Sequence, residues 1–293
     1  MSPAKHVFVL GHSGFIGHTL IRMLGAESHP REVTGLSISD LDFTHPDCVP
    51  RLAARLTPDS VVVLCAAVKR QFGDTPEAFR NNLSIVENVI AAVTLQPVRR
   101  LIFMSSAAVY GEETDNAAIS EQTLPLPSSY YGIAKYTGER LLQRGLSSLS
   151  NTSLVCLRPP LVYGPGDRGK CYGPSGFCAA ALEHTPITLW GDGTELREFL
   201  FVEDMCRIII HLLDHPFEGI LNAAGGQSHS FVEILDLIRS NGYPLLRVDS
   251  KPRSKKKVDN VFTGKLIREL MPADFAFTTL PEGVKRTLTP AFP

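Results

Sequence analysis

Three glycines near the start of the chain connect a short apolar run to an amphipathic segment. The run is Val7–Leu10, the glycines are Gly11, Gly14 and Gly17, and helix-like apolar spacing continues to Leu24. A strand that turns through glycines into a helix presents backbone N–H groups and the positive end of the helix dipole to a bound anion. Because glycine has no Cβ atom, it also lets a pyrophosphate approach the backbone closely. The pattern predicts a dinucleotide site that consists of Gly11, Ser13, Gly14, Phe15, Ile16 and Gly17.

Short apolar runs alternate with helical patterns over the first half of the chain. Buried strands are predicted at Val33–Leu36, Val61–Ala67, Leu101–Met104 and Leu154–Leu157, because these runs contain few polar residues. Between two of them, the apolar residues of Pro76–Ala92 recur at steps of three and four, which indicates a helix. Strands that alternate with helices predict an α/β fold with a Rossmann-type doubly wound parallel sheet.

This alternation ends near Tyr163, where the loop-forming Gly164-Pro165-Gly166 follows. We predict a dinucleotide-binding domain of residues 1–164 with a returning segment around 196–223, and a smaller mixed α/β lobe of residues 165–195 and 224–293. In the second half the patterns predict helices at Phe177–Glu183, Met205–Leu213, Phe231–Ile238 and Gly264–Leu270, and strands at Ile187–Trp190 and Leu245–Val248.

Charge and composition exclude several classes of partner. Lys and Arg number 29 against 30 Asp and Glu, so no strong field exists to attract nucleic acid or an anionic membrane. No apolar stretch approaches the ~20 residues of a membrane-spanning helix, and the N-terminal residues lack the pattern of a signal peptide. We therefore expect a cytoplasmic protein without membrane or nucleic-acid partners.

The cysteines and one basic run receive structural interpretations. The cysteines form no C-x-x-C pair, which favours reduced, mostly buried thiols over disulfides or a metal site. The run Lys255-Lys256-Lys257 is interpreted as a solvated loop, with a phosphate-facing role as the alternative. The six cysteines are Cys48, Cys65, Cys156, Cys171, Cys178 and Cys206.

Tyr131 and Lys135 are four residues apart, so a helix would place both side chains on one face. A nearby ammonium favours the phenolate and lowers a phenolic pKa that is otherwise about 10. Tyr131 could then exchange a proton with a carbonyl or an alcohol near neutral pH. Ser106, at the end of the strand that we count as the fifth, could bond the same oxygen. We predict that Ser106, Tyr131 and Lys135 are catalytic.

The coenzyme preference is predicted from the end of the second strand, where an NAD site normally carries an acidic residue for the ribose 2′-hydroxyl. Ser37 stands at that point, whereas Asp40 and Asp42 come later. A hydroxyl can bond a 2′-phosphate, and the absence of a carboxylate removes a charge that would repel it. We therefore favour NADP(H) over NAD(H), with Ser37 and Asp42 among the coenzyme contacts.

Additional motifs give the chain a resemblance to a known family. Cys65-Ala66-Ala67 follows the strand that we count as the fourth, Asn82 lies in the next predicted helix, and Met104–Gly111 contains Ser106. With the glycine motif and the Tyr131/Lys135 pair, these residues resemble the extended short-chain dehydrogenase/reductases. Further motifs at residues 157–166, 191–193, 197–204 and 221–223 are similar to the branch of nucleotide-sugar epimerases, dehydratases and 4-ketoreductases.

This resemblance implies roles for the matching residues. Tyr131 would be the acid/base, Ser106 would orient the C4 oxygen of the sugar, and Lys135 would also hold the nicotinamide ribose. The first lobe would bind the coenzyme and the second the nucleotide diphosphate, and the family commonly forms homodimers. Implied coenzyme contacts outside the glycine loop are Ala66, Ala67, Asn82, Tyr131, Lys135 and Pro159.

The implied substrate contacts have structural alternatives. Arg197 has the planar donor fork that suits a diphosphate, but it could instead form a surface ion pair with Glu195 or Glu198. Lys69 could be an ordinary exposed lysine, and Trp190 could be a core aromatic. The predicted substrate-binding residues are Lys69, Ser106, Ala107, Trp190 and Arg197.

Three departures from the family pattern narrow the reaction. Ser105-Ser106-Ala107 lacks the Asp-Glu pair typical of the 4,6-dehydratases, which counts against water elimination. Leu161 stands where many relatives have asparagine, so one polar contact to the sugar nucleotide is absent. The segment between the second and fourth strands is short, as in the 4-keto-sugar reductases, whereas Arg158-Pro159-Pro160 resembles the epimerases.

The preferred hypothesis is an NAD(P)-dependent 4-keto-sugar reductase that acts at C4 of a nucleotide-activated hexose, with Tyr131 as the acid/base. The first alternative is a nucleotide-sugar 4-epimerase with tightly bound NAD. A non-catalytic NADP-sensing regulatory protein is an alternative of another class, and a non-sugar carbonyl reductase is disfavoured by Gly191-Asp192-Gly193 with Arg197.

Overall fold

The computed structural model describes residues 4–28, 31–69, 73–167, 172–253 and 256–289. The strands are β1 (His6–Leu10), β2 (Glu32–Leu36), β3 (Ser60–Leu64), β4 (Arg100–Met104), β5 (Asn116–Ile119), β6 (Ser153–Arg158), β7 (Leu161–Tyr163), β8 (Ile187–Trp190), β9 (Leu196–Phe201), β10 (Gly219–Asn222), β11 (Ser228–Ser230), β12 (Val248–Lys251) and β13 (Asn260–Phe262). The helices are α1 (Phe15–Gly25), α2 (Cys48–Ala53), α3 (Pro76–Leu95), α4 (Tyr130–Gly145), α5 (Pro174–Leu182), α6 (Val202–Asp214), α7 (Phe231–Ser240), α8 (Lys265–Leu270) and α9 (Leu280–Leu288). A short 3-10 helix covers Ala107–Tyr110.

The chain divides into two compact units. Unit 1 consists of residues 1–111, 125–158 and 206–221, and unit 2 of residues 112–124, 159–205 and 222–293. The sequence placed 1–164 and a returning segment around 196–223 in a dinucleotide-binding domain. That assignment of ligand-binding lobes stays a prediction.

Unit 1 is built on a six-stranded sheet in the order β2-β1-β3-β4-β6-β10. The pairs from β2 through β6 are parallel, and every residue of β3 and β4 is buried. The apolar runs bury well because both faces of such a sheet are covered by helices. Helices α3 and α4 pack on one another and α2 packs on α3. The predicted doubly wound α/β fold is confirmed.

The sheet order reverses beside β1, which pairs with β2 on one side and with β3 on the other. In open α/β sheets, ligands bind outside the carboxyl ends of the strands at such a reversal. The backbone N–H of Gly11 donates to Leu36 O over 2.7 Å, and that of Cys65 donates to Leu10 O over 2.8 Å. The segments that follow β1, β2 and β3 therefore meet at the reversal.

The strands before Cys65 and Ser106 were numbered fourth and fifth, one more than the apolar runs predicted up to those points, and this numbering is wrong. Cys65 follows β3 and Ser106 follows β4, because the described residues between β2 and β3 form the short helix α2 and no strand. Helix α3 begins at Pro76 as predicted and continues to Leu95; Pro76 suits a first helical turn, and the Thr75 hydroxyl caps it by accepting from Ala78 N.

Unit 2 contains small sheets and an apolar helical layer. The sheets are β11-β9-β7, β12-β8 and β13-β5, and helices α5, α7 and α9 pack on one another. Their core includes Phe177, Phe199 and Phe231, whose rings lie in edge or tilted contacts. The strand predicted at Leu245–Val248 lies three residues later, as β12. Val248 is the first residue of β12 and pairs in parallel with Ile187, whereas the Leu245 side chain is exposed before the strand begins.

Candidate functional site

Two glycines of the glycine loop, Gly11 and Gly17, leave no room for a side chain. A Cβ atom on Gly11 would lie 2.6 Å from Ala66 N, and one on Gly17 would lie 2.4 Å from Gly11 O. Gly11 also has a φ of +90°, a conformation that L side chains rarely adopt. Helix α1 starts after Gly14 with no capping side chain and no acidic residue in its first turn. Its N-terminal N–H groups can therefore receive an anion, and the loop fits a dinucleotide pyrophosphate.

The segment after β3 is fixed beside this loop. Asn82 in α3 is buried, and its amide oxygen accepts from Val68 N over 2.8 Å while its amide nitrogen donates to Val68 O over 3.0 Å. This clamp places Ala66 against Gly11. The Nζ atom of Lys69 lies 6.0 Å from the centre of the Phe15 ring. Asn82 thus positions the backbone beside the glycine loop, and Lys69 lies near the first turn of α1.

Lys135 joins helix α4 to the end of β4. Its ammonium donates to Met104 O over 2.6 Å and lies 5.7 Å from the centre of the Tyr131 ring. Ser106 lies two residues after Met104, and its hydroxyl accepts from Ala108 N as the cap of the 3-10 helix. A Cβ atom on Gly132 would lie 2.7 Å from Ala108 O, so this glycine lets the start of α4 contact the same segment. The fold brings Ser106, Tyr131 and Lys135 to adjoining backbone segments.

The charge state of Lys135 is controlled by its surroundings. Burial lowers the pKa of Lys135 to about 8, and Cys65 and Glu139 act in the opposite direction. The ammonium form is therefore present at neutral pH and is lost in the mildly alkaline range. Such a group can favour the phenolate of a neighbouring tyrosine at neutral pH.

The end of β2 carries a carboxylate that the sequence analysis did not place there. Asp40 Oδ2 accepts from Ser37 N over 2.8 Å and from Ser37 Oγ over 2.7 Å, and it lies 3.6 Å from His12 Nε2. Hydrogen bonds from Ser37 hold the pKa of Asp40 below its usual value, so the carboxylate is charged at neutral pH. The premise that this point lacks an acid is wrong. Asp42, the predicted contact, instead accepts from the backbone and hydroxyl of Thr44.

Unit 2 contains its own polar pocket. The cavity measures about 310 Å³ and holds the predicted Trp190 and Arg197 together. Trp190 is about half exposed, with Lys251 Nζ 5.5 Å from its ring centre, so the alternative of a core aromatic is wrong. The lining residues are Glu112, Glu113, Trp190, Glu195, Arg197, Arg253, Lys256 and Val258.

Among the described residues, the hydrogen bonds of Arg197 go to backbone carbonyls and not to the neighbouring glutamates. Its Nη1 donates to Leu196 O over 2.8 Å and to Val258 O over 2.5 Å. Glu195 instead accepts from Arg253, and Glu198 accepts from Gly226 N. The alternative of a surface ion pair therefore has no support in the hydrogen bonds of these residues.

The sequence analysis missed Arg253. This side chain donates to Asp192 and to Glu195 Oε2, the second over 2.6 Å. Gly191 has a φ of +73°, and a Cβ atom on it would overlap the Arg253 side chain. The Gly191-Asp192-Gly193 motif was noted but could not reveal that its partner lies some sixty residues later.

The basic run Lys255-Lys256-Lys257 is described in part. Lys256 lines the pocket, Lys257 lies 3.4 Å from Asp259, and Lys255 is outside the described residues.

Pro159 and Leu161 lie at the start of the second segment of unit 2. Pro159 is buried directly after β6, and Leu161 begins β7 with its side chain partly exposed. Ala107 opens the 3-10 helix after Ser106, and Ser13 is exposed at the tip of the glycine loop. Their predicted ligand contacts stay predictions.

Glu198 provides a test of a buried carboxylate in unit 2. Burial raises the pKa of Glu198 to about 7, although backbone N–H groups, first that of Gly226, and Arg268 act in the opposite direction. Between the unfolded value near 4.5 and about 7 the folded state binds the extra proton, so the free energy of unfolding falls as the pH rises through this window. We expect Glu198→Gln to flatten that decrease, as measured by chemical unfolding from pH 4.5 to 8.

The matched control for this prediction is Glu269→Gln, because the Glu269 carboxylate is exposed and lies at 4.0 Å from Lys265. It should leave the pH dependence of unfolding as in the parent chain. An unchanged slope in Glu198→Gln would contradict the prediction.

In the part of the chain that the structure describes, no three or more His, Cys, Asp or Glu side chains form a group that could hold a metal ion. The cysteines in these ranges are free thiols, and all but the half-buried Cys65 are buried. Cys171 lies outside the described residues. Among the described helices, none is both long and apolar enough to cross a membrane.

Comparison with known proteins decides the family. A profile described as the NAD dependent epimerase/dehydratase family matches residues 7–224, which is more than half of the chain. The chain belongs to this family. The predicted relationship to the extended short-chain dehydrogenase/reductases is confirmed, and with it the prediction of an NAD(P)-dependent enzyme.

Individual relatives are similar over most of their length. GDP-L-fucose synthase of Sinorhizobium fredii is 27% identical over 252 residues, which covers 80% of this chain and 79% of the relative. The dTDP-4-dehydro-6-deoxy-D-allose reductase of a Streptomyces species is 28% identical over 270 residues, with 80% of each chain covered. The structure of UDP-glucose 4-epimerase from Thermus thermophilus in complex with NAD superposes with a TM-score of 0.82 at 26% identity, covering 97% of both chains.

Proposed function

We propose that this enzyme reduces the 4-keto group of a nucleotide-activated hexose with NAD(P)H. The observation that carries the proposal is the placement of Tyr131 and Lys135 on one face of α4, with the Lys135 ammonium bonded to the backbone that leads into Ser106. A relative whose name describes reduction of a 4-dehydro sugar supports the choice of reaction.

The residues of unit 1 supply the proton chemistry. When bound, the nicotinamide coenzyme supplies the hydride. Tyr131 donates its phenolic proton to the C4 oxygen, and Ser106 donates a hydrogen bond that orients the same oxygen. The Lys135 ammonium stabilises the phenolate that Tyr131 leaves behind.

Residues of unit 2 would bind the nucleotide diphosphate. Arg197, Arg253 and Lys256 bring cationic groups to a pocket that three glutamates also line, and Trp190 offers an exposed ring beside them. Guanidinium groups bind phosphates through paired N–H donors, and an aromatic face can stack on a base. This supports a nucleotide diphosphate as the ligand, and Lys69 and Ala107 as sugar contacts of unit 1 remain part of the proposal.

The test is a substrate panel for the purified protein. GDP-, dTDP-, UDP- and CDP-linked 4-keto-sugars are offered with NADH or NADPH, and coenzyme oxidation and the product alcohol are measured. Stoichiometric conversion with at least one sugar supports the reductase. A protein that retains NAD at near-unit occupancy and interconverts C4 epimers without added coenzyme would sink the reductase proposal.

One observation favours the 4-epimerase as the second candidate. The Asp40 carboxylate at the end of β2 is the kind of group that binds the ribose hydroxyls of NAD. Retained NAD is what an epimerase needs, because the same coenzyme removes and returns the hydride. The panel above separates the two reactions.

NADP(H) was favoured because Ser37 stood at the end of β2 without a carboxylate beside it. The Asp40 carboxylate accepts from Ser37, so the charge argument now favours NAD(H). We expect NAD(H) to bind more tightly, and Asp40→Ser to shift the ratio of the NADPH and NADH dissociation constants by about tenfold or more towards NADPH, because a charge that repels a 2′-phosphate is removed. Fluorescence titration measures both constants.

The matched control for the coenzyme prediction is Asp42→Asn. Its carboxylate bonds only within the turn to Thr44 among the contacts that the structure describes, so the ratio should stay unchanged. An Asp40→Ser variant with the ratio of the parent chain would refute the assignment.

A homodimer and a cytoplasmic location, both expected from the sequence, stay predictions, and light scattering tests the first.

A further inference from the structure

A buried cluster of charges lies beneath the catalytic segment of unit 1. Glu139 and Arg158 are 0% and 1% exposed. Arg158 Nε donates to Glu139 Oε1 over 2.8 Å and its Nη2 to Glu139 Oε2 over 2.6 Å, which makes the pair bidentate. Buried ion pairs are costly to desolvate, and apolar residues of similar volume are often at least as stabilising. Stability alone therefore does not account for this pair.

Each partner also bonds to the segment that contains Ser106. The Ser105 hydroxyl donates to Glu139 Oε1, and Arg158 Nη1 donates to the Tyr110 hydroxyl over 2.9 Å. These bonds lie at the two ends of residues 105–110, the segment that includes Ser106 directly after Ser105. The segment is thereby tied to β6 through Arg158 and to α4 through Glu139.

Glu139 also lies on the face of α4 that carries the catalytic pair. Tyr131, Lys135 and Glu139 are spaced by four residues, so they follow one another along the helix. Among the described residues, the titratable groups around the Lys135 ammonium are Tyr131 and Glu139 of α4 and Cys65 after β3. Arg158 and Cys156 of β6 face Glu139. Glu139 is thus the carboxylate that links the ammonium to the buried pair.

We propose that Glu139 and Arg158 are positioning residues that hold Ser106 and the Tyr131/Lys135 pair in register. The proposal rests on the proposed roles of those three residues. Glu139 fixes Ser105 and adds negative potential at Lys135, and Arg158 fixes the Glu139 carboxylate and the far end of the segment. Neither side chain touches the reacting atoms.

The decisive variant is the double substitution Glu139→Gln/Arg158→Met. Glu139→Gln alone leaves a buried guanidinium without its carboxylate and threatens folding. The double variant removes both charges at similar volume, and thermal unfolding checks that it is folded. Glu87→Gln, an exposed glutamate on α3, is the matched control.

Two readouts are measured on the parent chain, the double variant and the control. The first is kcat and KM for the 4-keto-sugar, where we expect kcat to fall by about 100-fold because small displacements of positioned groups carry losses of that size. KM should change little, since the pair does not contact the substrate. The control should keep both constants.

The second readout is NAD(P)H binding as a function of pH, which needs no sugar. Burial lowers the pKa of Lys135 to about 8, and Glu139 raises it from the value that burial alone would give. If protonated Lys135 holds the nicotinamide ribose, binding weakens as the pH rises through that pKa. Removing the Glu139 charge should move this weakening to lower pH.

The outcomes distinguish the two proposals. A folded double variant with the kcat and the pH midpoint of the parent chain overturns the positioning role and leaves the reductase standing. A parent chain that reduces no 4-keto-sugar overturns the reductase, and the pH midpoint of coenzyme binding still decides the positioning role: a shift supports it and an unchanged midpoint overturns it.

Discussion

Replacement of Tyr131 by phenylalanine should lower kcat for the 4-keto-sugar by about 10²–10⁴-fold, the range for loss of a general acid. The phenolic oxygen is the only atom removed, so the ring and its approach to the Lys135 ammonium are kept. The α4 backbone is anchored independently, because Tyr131 N donates to Asp74 Oδ1 over 2.9 Å. Coenzyme affinity and the unfolding midpoint should therefore change little. Steady-state kinetics, NAD(P)H titration and thermal unfolding measure the three quantities.

The neighbouring residue provides a matched control for this substitution. Tyr130 is partly exposed, and its ring lies 6.2 Å from that of Phe79. Tyr130→Phe removes the same atom one residue away on a different face of the helix, and it should retain the kcat of the parent chain. Unchanged sugar turnover in Tyr131→Phe would instead overturn the role of Tyr131 as the acid/base. Equal losses in both variants would indicate a general effect on α4.

Local patterns were sufficient to predict five of the six strands of the central sheet. The runs of β1, β3, β4 and β6 are apolar and short, and their burial on both faces requires nothing beyond that composition. The glycine loop was equally visible, because close backbone approaches exclude a side chain at Gly11 and Gly17. Buried strands and the glycine loop could therefore be predicted, because each depends on residues that are close together in the sequence.

Side-chain partners that are distant in sequence were not predictable. Arg253 reaches Asp192 and Glu195 because β12 pairs with β8, and the predicted strand lay three residues too early. Asp40 folds back onto Ser37 through a turn, so counting positions after the strand gave the wrong conclusion about charge. In both cases the deciding contact depends on tertiary geometry rather than on residue type.

The same limit applies to the buried pair. Arg158 was noted within Arg158-Pro159-Pro160, and Glu139 lies four residues beyond Lys135, but nothing in their spacing pairs them. The contact arises because β6 lies beside β4 in the sheet while α4 places Glu139 against the segment after β4. Parallel connections of this kind bring residues together that no local pattern relates.

A glycine in helix α1 gives the second prediction with a large effect. A Cβ atom on Gly17 would lie 2.4 Å from Gly11 O and 2.8 Å from His12 Cα. Both are backbone atoms of the coenzyme loop, so the loop must move to admit the methyl group of Gly17→Ala. Overpacking of this kind typically costs about 1–3 kcal/mol. Since about 1.4 kcal/mol corresponds to a tenfold change in a binding constant, we expect NAD(P)H to bind about 10–100-fold more weakly.

The same helix carries a glycine with open space around it. Among the described residues, and apart from its chain neighbours and the adjoining helix backbone, no atom lies within 4 Å of a Cβ atom built on Gly25, the last residue of α1, so alanine fits there without displacement. Gly25→Ala should raise the free energy of unfolding by about 0.4–1 kcal/mol by restricting the unfolded chain, and should leave coenzyme affinity unchanged. If the two alanine variants bind NAD(P)H equally well, the close approach at Gly17 does not form the coenzyme site. A loss confined to Gly17→Ala places the pyrophosphate at the loop, because the two substitutions differ only in what the added methyl group meets.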